Sequence, residues 1–316
     1  MTTNELKSII SHILFSEQVY GLTVFTCLKE ETNLRLKKLQ ITDILKTSIK
    51  NLLESVATAM FLAEETELDS AENIADNRKV LYEIAQTELY TPFDYLNDYQ
   101  HITDTYSESD QKNLVGYFFR VNRNDDAIWF FQAVYPMSVM DRSKMLYAIL
   151  SKGETYTTLK KEIVRIDQRL DIAIIGNSII TSKIELLQRH FGFEDYVRSE
   201  AYSTVCEIEA LNLLSDTEKF LDFINKAKLT NAKKLMKVKN SPVLKMDKVD
   251  LFKRLKRHPR YQDKFKYDGD TIVIKTQKDV NEFIKMLNDD IVRSDLTDQE
   301  YDSPSKQPLE PIGKVQ

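Results

Sequence analysis

The chain is 316 residues long, carries a formal net charge of −5, and is 42% hydrophobic and 10% aromatic, which suits one or two ordinary folded domains and is too apolar for disorder. No run approaches the ~20 uninterrupted apolar residues of a membrane span, and Met1–Lys7 lacks the charged-then-apolar layout of a signal peptide. Two cysteines, Cys27 and Cys206, exclude a disulfide framework and are expected as buried thiols of a soluble, cytoplasmic protein.

In chain order, Gln18–Leu28 and Asn33–Ile41 are rich in Val, Leu, Phe and Thr on either side of the polar run Lys29–Thr32, which predicts a strand pair. Asp43 has the chemistry of a helix cap, and Leu45, Ile49, Leu52, Leu53, Val56 and Met60 follow at helical spacing. Glu64–Asp76 holds six acids and no base, as an exposed loop or helix start does, and a second helix is expected over Arg78–Leu89. Leu114–Tyr135 carries seven aromatic residues around the polar tetrad Arg123-Asn124-Asp125-Asp126. That pattern predicts a β-hairpin whose rings fill a sheet core rather than stack on bases. Further strands are expected at Met145–Leu150, Ile163–Ile166, Ile172–Ile175 and Ser178–Ile180.

Beyond Thr181 the periodicity becomes helical, over Ser182–Phe191, Glu194–Leu214, Asp216–Lys226, Asn231–Val238 and Asp247–Arg257. A small strand pair flanks Asp268-Gly269, a helix covers Gln277–Ile291, and Pro304, Pro308 and Pro311 in a stretch poor in apolar residues predict a disordered tail from Ser294. The fold class is therefore α+β. An N-terminal mixed or antiparallel sheet with helices precedes a mainly helical, basic C-terminal region. The expected domains are 1–150, 151–293 and a tail over 294–316.

Several chemistries lose their sequence support. Glycine occurs seven times and its nearest pair, Gly176 and Gly192, lies 16 residues apart, so neither the dinucleotide fingerprint nor the P-loop can be written. Cys27 and Cys206 are 179 residues apart and His12, His101, His190 and His258 never reach ligand spacing of one another, so no clustered zinc site exists in sequence. His190 with Glu194 spans Gly192 and is expected as ordinary surface. A metal-dependent nuclease needs converging carboxylates near a lysine. Asp268 and Asp270 before Thr271–Lys275, and Asp167 with Asp171, come nearest, but Val273 stands where an acid-x-Lys arrangement needs an acid. No catalytic residue, metal ligand or cofactor is assigned, and the sequence favours a non-enzyme without deciding against a nuclease.

The charge distribution is the informative feature. Lys219–Lys266 contains sixteen Lys or Arg against four Asp, a local balance of +12 that leaves −17 on the remainder. On one basic helix Leu229, Ala232, Leu235 and Met236 share a face, with Lys233, Lys234 and Lys237 opposite. On the next, Val249, Leu251, Phe252 and Leu255 form the expected buried stripe, Lys253, Arg254 and Arg257 point away, and Lys256 sits at the boundary. Lys239, Lys245, Arg260, Lys264 and Lys266 stand between and beyond. A face with so few acids invites phosphates, which grip any base sequence. The candidate nucleic-acid contacts are therefore Lys233, Lys234, Lys237, Lys239, Lys245, Lys253, Arg254, Lys256, Arg257 and Arg260. The competing readings are a basic face paired with the chain's own acids or with a partner protein, and a membrane-surface contact. The last is disfavoured because these helices offer no Trp or exposed Phe to insert.

The succession Arg169-Leu-Asp171-Ile-Ala-Ile, Phe191-Gly-Phe193-Glu194, and Asn231-Ala-Lys233-Lys234-Leu-Met-Lys237 before Ser241-Pro242 resembles the KwaB-like family of the bacterial Kiwa anti-phage defence system. The resemblance spans about Ile163–Leu287 and includes the overall length and α+β layout. It implies a DNA-binding effector that interferes with replication or expression of phage DNA, and a KwaA-like multi-span membrane partner that holds the chain at the inner membrane. No catalytic motif comes with it. The ligand is expected to be DNA, double-stranded and bound non-specifically, and the chain is expected to form a homodimer or higher homo-oligomer. Nuclease and non-catalytic scaffold remain the alternatives, with Glu64–Asp76 as a docking face and the Leu114–Tyr135 hairpin as an oligomer surface.

Overall fold

The computed structural model describes residues 1–15, 20–31, 33–76, 79–85, 89, 96, 98–134, 148–151, 155–158, 165–227, 229–294 and 296–303. They form two compact units, Met1–Asp69 with Val80–Phe193, and Ser70–Lys79 with Glu194–Gln316. The first unit extends past residue 150 because strands from 172–181 complete its sheet.

Helix α1 (Thr3–Phe15) is absent from the expected elements, although Leu6, Ile10, Ile13 and Leu14 recur on one face and are buried. Strands β1 (Gly21–Glu30) and β2 (Asn33–Lys38) pair antiparallel as expected. Helix α2 (Asp43–Phe61) starts at the residue expected to cap it, and the cap lies one position earlier: the Thr42 hydroxyl, not Asp43, accepts the Leu45 N–H. The acidic run Glu64–Asp76 forms β3 (Leu68–Ser70) and a 3-10 turn, Ala71–Asp76.

Residues Leu81–Ala85 form strand β4 rather than part of a helix over Arg78–Leu89. Residues 77–78 and 86–88 lie outside the described residues. Leu81, Tyr82 and Ile84 are all buried, and a short continuous apolar run fits a strand buried on both faces as well as a helix, so periodicity alone does not decide.

The hairpin is β5 (Leu114–Arg123) and β6 (Asp126–Ala133), turned at Asn124, whose φ of 52° is the left-handed conformation that Asn tolerates. Strands β7 (Ala148–Ser151) and β8 (Thr155–Thr158) pair separately. Met145 and residues 163–164, on which two strand expectations partly rest, lie outside the described residues. Strands β9 (Ile172–Ile175) and β10 (Ser178–Thr181) return to the main sheet, whose order is β2-β1-β5-β6-β9-β10-β4-β3. Every pairing from β2 through β4 is antiparallel.

The hairpin therefore sits mid-sheet, flanked by β1 and β9, and offers no free edge for oligomerisation. Its alternating side chains divide between two cores. Tyr117, Phe119, Val121, Ile128 and Phe130 pack with the apolar stripes of α1 and α2. On the other face Phe118 and Phe131 meet at 4.8 Å and Phe131 meets Phe191 at 5.2 Å, after helix α3 (Ile184–His190). Gly116 is required by this packing, since a Cβ there would lie 2.3 Å from the Phe131 ring.

In the second unit α4 (Phe193–Ala210), α5 (Thr217–Lys226), α6 (Leu229–Val238), α7 (Lys248–Arg257), α8 (Pro259–Lys264) and α9 (Gln277–Leu287) bury Phe220, Leu235, Met236, Phe252, Phe265 and Phe283. Hairpin β11 (Lys266–Asp268) and β12 (Thr271–Val273) turns at Gly269, with φ 59°. Helix α9 stops at Leu287, short of Ile291, because Ile291–Arg293 becomes β13 and pairs with β14 (Glu300–Asp302). The tail expected from Ser294 thus begins as a hairpin, and residues 304–316 lie outside the described residues. Cys27 is buried, which pushes its thiol pKa up, whereas Cys206 on α4 is exposed rather than buried as expected.

Asp171, fully buried where the chain enters β9, closes the first unit's polar knot. It accepts from the Ala133 N–H at 2.8 Å and from Arg169, with Lys183 3.6 Å away. Arg169 also donates to the Ala133 carbonyl, and the Gln132 amide bridges Asp167 in both directions, donating to its carbonyl at 2.7 Å and accepting its N–H at 3.0 Å. Asp171→Ala, which removes the buried acceptor of the Ala133 N–H and leaves Arg169 only its longer contact with Asp167 at 3.6 Å, is expected to cost about 3 kcal/mol in denaturant unfolding, and replacing the pair as Arg169→Met/Asp171→Leu less.

Candidate nucleic-acid interface

Helical phase puts three of the expected contacts together. On α7, Arg257 lies one turn from both Lys253 and Arg254, while Leu251, Phe252 and Leu255 face inward. Asp247 caps this helix by accepting the Val249 N–H at 2.9 Å, which fixes the phase from its first turn. Val249, expected in the buried stripe, is 70% exposed. It stands on the first turn, before the stripe meets its neighbours. Lys253, Arg254 and Arg257 are exposed and, among the described residues, make no ion pair or hydrogen bond through their side chains. The same holds for Lys245, which ends the 3-10 turn Pro242–Lys245 just upstream.

Other expected contacts are already engaged. Lys239, after α6, donates to Glu200 on α4 at 2.9 Å, and this hydrogen bond, with Glu72 and Glu207 nearby, raises its pKa. Lys256 reaches Asp270 at 3.0 Å and the Gly269 carbonyl at 3.2 Å, with its ammonium 6.0 Å from the Phe252 ring and 5.9 Å from the Tyr267 ring. Arg260, on α8, holds Glu282 at 3.2 Å and Glu300 at 3.9 Å and is only 29% exposed. On α6, Lys233, Lys234 and Lys237 are all half-buried, and Lys233 and Lys237 are engaged as well. Helix α6 packs on α9 and on the 3-10 turn Ala71–Asp76, whereas α7 packs on α8, so different neighbours set the two rows of cations.

Three of the four carboxylates weighed for metal chemistry, Asp167, Asp171 and Asp270, have cationic partners. Asp270 holds Lys256, Asp167 is bound by Arg165 and Arg169, and Asp171 by Arg169. Among the described residues no group of three His, Cys, Asp or Glu is placed to hold a metal ion. His190 does not pair with Glu194, which takes Arg198 at 2.9 Å; the half-buried imidazole is pushed down to about 4 by desolvation, aided by Arg189 and Lys29. Among the described residues no helix is long and apolar enough to cross a membrane.

The pairs differ in how much they stabilise. Glu200→Gln, which breaks a partly covered bond, is expected to cost about 1 kcal/mol in urea unfolding, and Asp270→Asn, which breaks an exposed one, less than about 0.5 kcal/mol. A larger cost for Asp270→Asn contradicts this ordering.

With this geometry in place, comparison with known proteins gives a consistent result. The family model described as Kiwa protein KwaB-like matches residues 111–297. Over 334 aligned residues the chain is 23% identical to Kiwa protein KwaB of Escherichia coli O55:H7 (strain RM12579 / EPEC), covering 98% of this chain and 100% of that protein. No solved structure matches.

Proposed function

Because the chain belongs to the Kiwa protein KwaB-like family, we propose that it is an anti-phage defence effector that grips DNA through the α7 cations and interferes with replication or expression of phage DNA. The observation that carries this reading is electrostatic. Lys245, Lys253, Arg254 and Arg257 are exposed and keep no acid partner among the described residues, in a chain whose net charge is −5. Four such charges left to water are poised to exchange counterions for phosphates, a gain that does not depend on base sequence. Guanidinium groups add bidentate geometry that suits phosphate oxygens.

The engaged cations have a second role in the same reading. Lys239, Lys256 and Arg260 hold α4, the β11–β12 turn and α9 in place and contribute to the surface through their remaining donors. Residence at the inner membrane is assigned to a KwaA-like multi-span partner, since no described helix can supply the span. A homodimer or higher homo-oligomer would duplicate the basic face and lengthen its grip on a polyanion.

The test is a salt-titrated binding series on duplex DNA. Lys253→Glu/Arg254→Glu/Arg257→Glu is expected to abolish measurable binding at physiological salt without changing the thermal melt. The corresponding neutral triple, with Gln at each position, should flatten the slope of log affinity against log salt by about 3. Duplex affinity that survives the charge reversal ends the proposal. Single changes at Lys239, Lys256 and Arg260 should each weaken binding by less than about threefold, because an internal carboxylate already satisfies each cation.

A further inference from the structure

At the C-terminal end of α7 the chain turns sharply into α8 through His258 and Pro259, and the junction leaves a cleft of about 500 Å³. Val243, Met246, Leu255 and Met286 make its wall. His258 and Tyr261 add ring edges, and Arg254 and Arg257, two of the unpaired cations of α7, line it as well. Asp289 supplies a carboxylate.

The junction is rigid. The His258 Nδ1 accepts the Arg260 N–H at 3.3 Å, which fixes the ring and leaves its Nε2 edge to donate. Its ring lies 4.8 Å from Tyr261, which stacks on Phe265 at 5.7 Å and 11°. Packed rings thus hold the His258–Tyr261 side of the cleft in place. Its size falls within the ~300–1,000 Å³ of small-ligand sites, and its make-up, an apolar wall with a few charged groups, is theirs too.

A duplex offers such a cleft no base face, because its bases are stacked on one another and show only their edges in the grooves. An unstacked base has the complementary chemistry. It is flat and polarisable, suited to thioether and ring neighbours, and its own phosphates flank it at the distance of a backbone unit. Two arginines on the lining give those phosphates partners.

We infer that the cleft receives one unstacked nucleotide of single-stranded DNA, its base against Met246, Leu255 and Met286 and its phosphates on Arg254 and Arg257; this rests on the nucleic-acid reading above. The α7 surface then grips duplex and single strand alike through charge, and the cleft adds a preference for unpaired segments.

Val243→Leu and Val243→Met each add aliphatic bulk at the cleft wall without changing a charge or supplying a ring for a base to stack on, and Val243 is partly exposed, so the added bulk has room outside the core. Fluorescence anisotropy on the full chain, with one labelled oligonucleotide single-stranded and as duplex at matched salt, reads the result. Each variant with an unchanged melt should bind the single strand about tenfold more weakly and the duplex within about twofold of wild type. Unchanged single-strand affinity in both variants overturns the cleft assignment and leaves a protein segment as its occupant, while the duplex arm still stands for the basic-face reading. Equal losses on both ligands overturn it too, since a base pocket cannot weaken duplex binding. A wild-type chain that binds neither form sinks both readings at once.

Discussion

The first unit depends on burying the β5–β6 hairpin on both faces. Tyr117, Phe118, Phe119, Phe130 and Phe131 are all fully buried, and a strand alternates its side chains, so such a run is stable only with material on each side. Helices α1 and α2 cover one face and the segment leading to Phe191 the other. From this follow the mid-sheet position of the hairpin, the need for Gly116 beside the Phe131 ring, and the recruitment of β9 and β10 from beyond residue 170. The polar knot around Asp171 then ties the far end of β6 to the chain that returns to it.

In the second unit the governing constraint is a competition for charge. A cation satisfied by a carboxylate of its own chain is a weak partner for phosphate, because the phosphate must first displace it. Of ten basic residues expected to contact nucleic acid, Lys239, Lys256 and Arg260 hold acids and Lys233 and Lys237 are engaged. The charges left over are concentrated on and just before α7. The basic window thus has two tasks, to bind the small helices of this unit to one another and to present a shorter cationic row to water.

Local pattern made much of this legible. The strand pair, α2, the aromatic hairpin and the boundaries of α5 and α7 follow from periodicity and from caps such as Asp216 and Asp247, while α6 begins at Leu229, two residues before its expected start. Strand β4 was hidden because its five residues carry no distinguishing period and owe their conformation to β10, about a hundred residues away. Helix α1 carried its signal openly in Leu6, Ile10, Ile13 and Leu14. The pairing of Lys239 with Glu200, or of Arg260 with Glu282, is a tertiary fact that helical phase cannot supply. Phase states which side a charge leaves from, and says nothing of what meets it there.

The same limit explains why the cleft beside α7 was invisible in sequence. Its wall joins Val243, Leu255 and Met286, each of which reads as ordinary core in its own helix or turn. What sets the site apart is that this apolar surface meets Arg254 and Arg257, which have no ion pair among the described residues. Low-dielectric walls strengthen the attraction between a guanidinium and an anion held against it, so Arg254 and Arg257 are better placed for phosphate than an equal pair on a flat surface. An exposed Lys253 adds charge without that advantage. If the cleft takes an unpaired nucleotide as proposed, the two cations that line it are the ones through which charge attraction becomes discrimination.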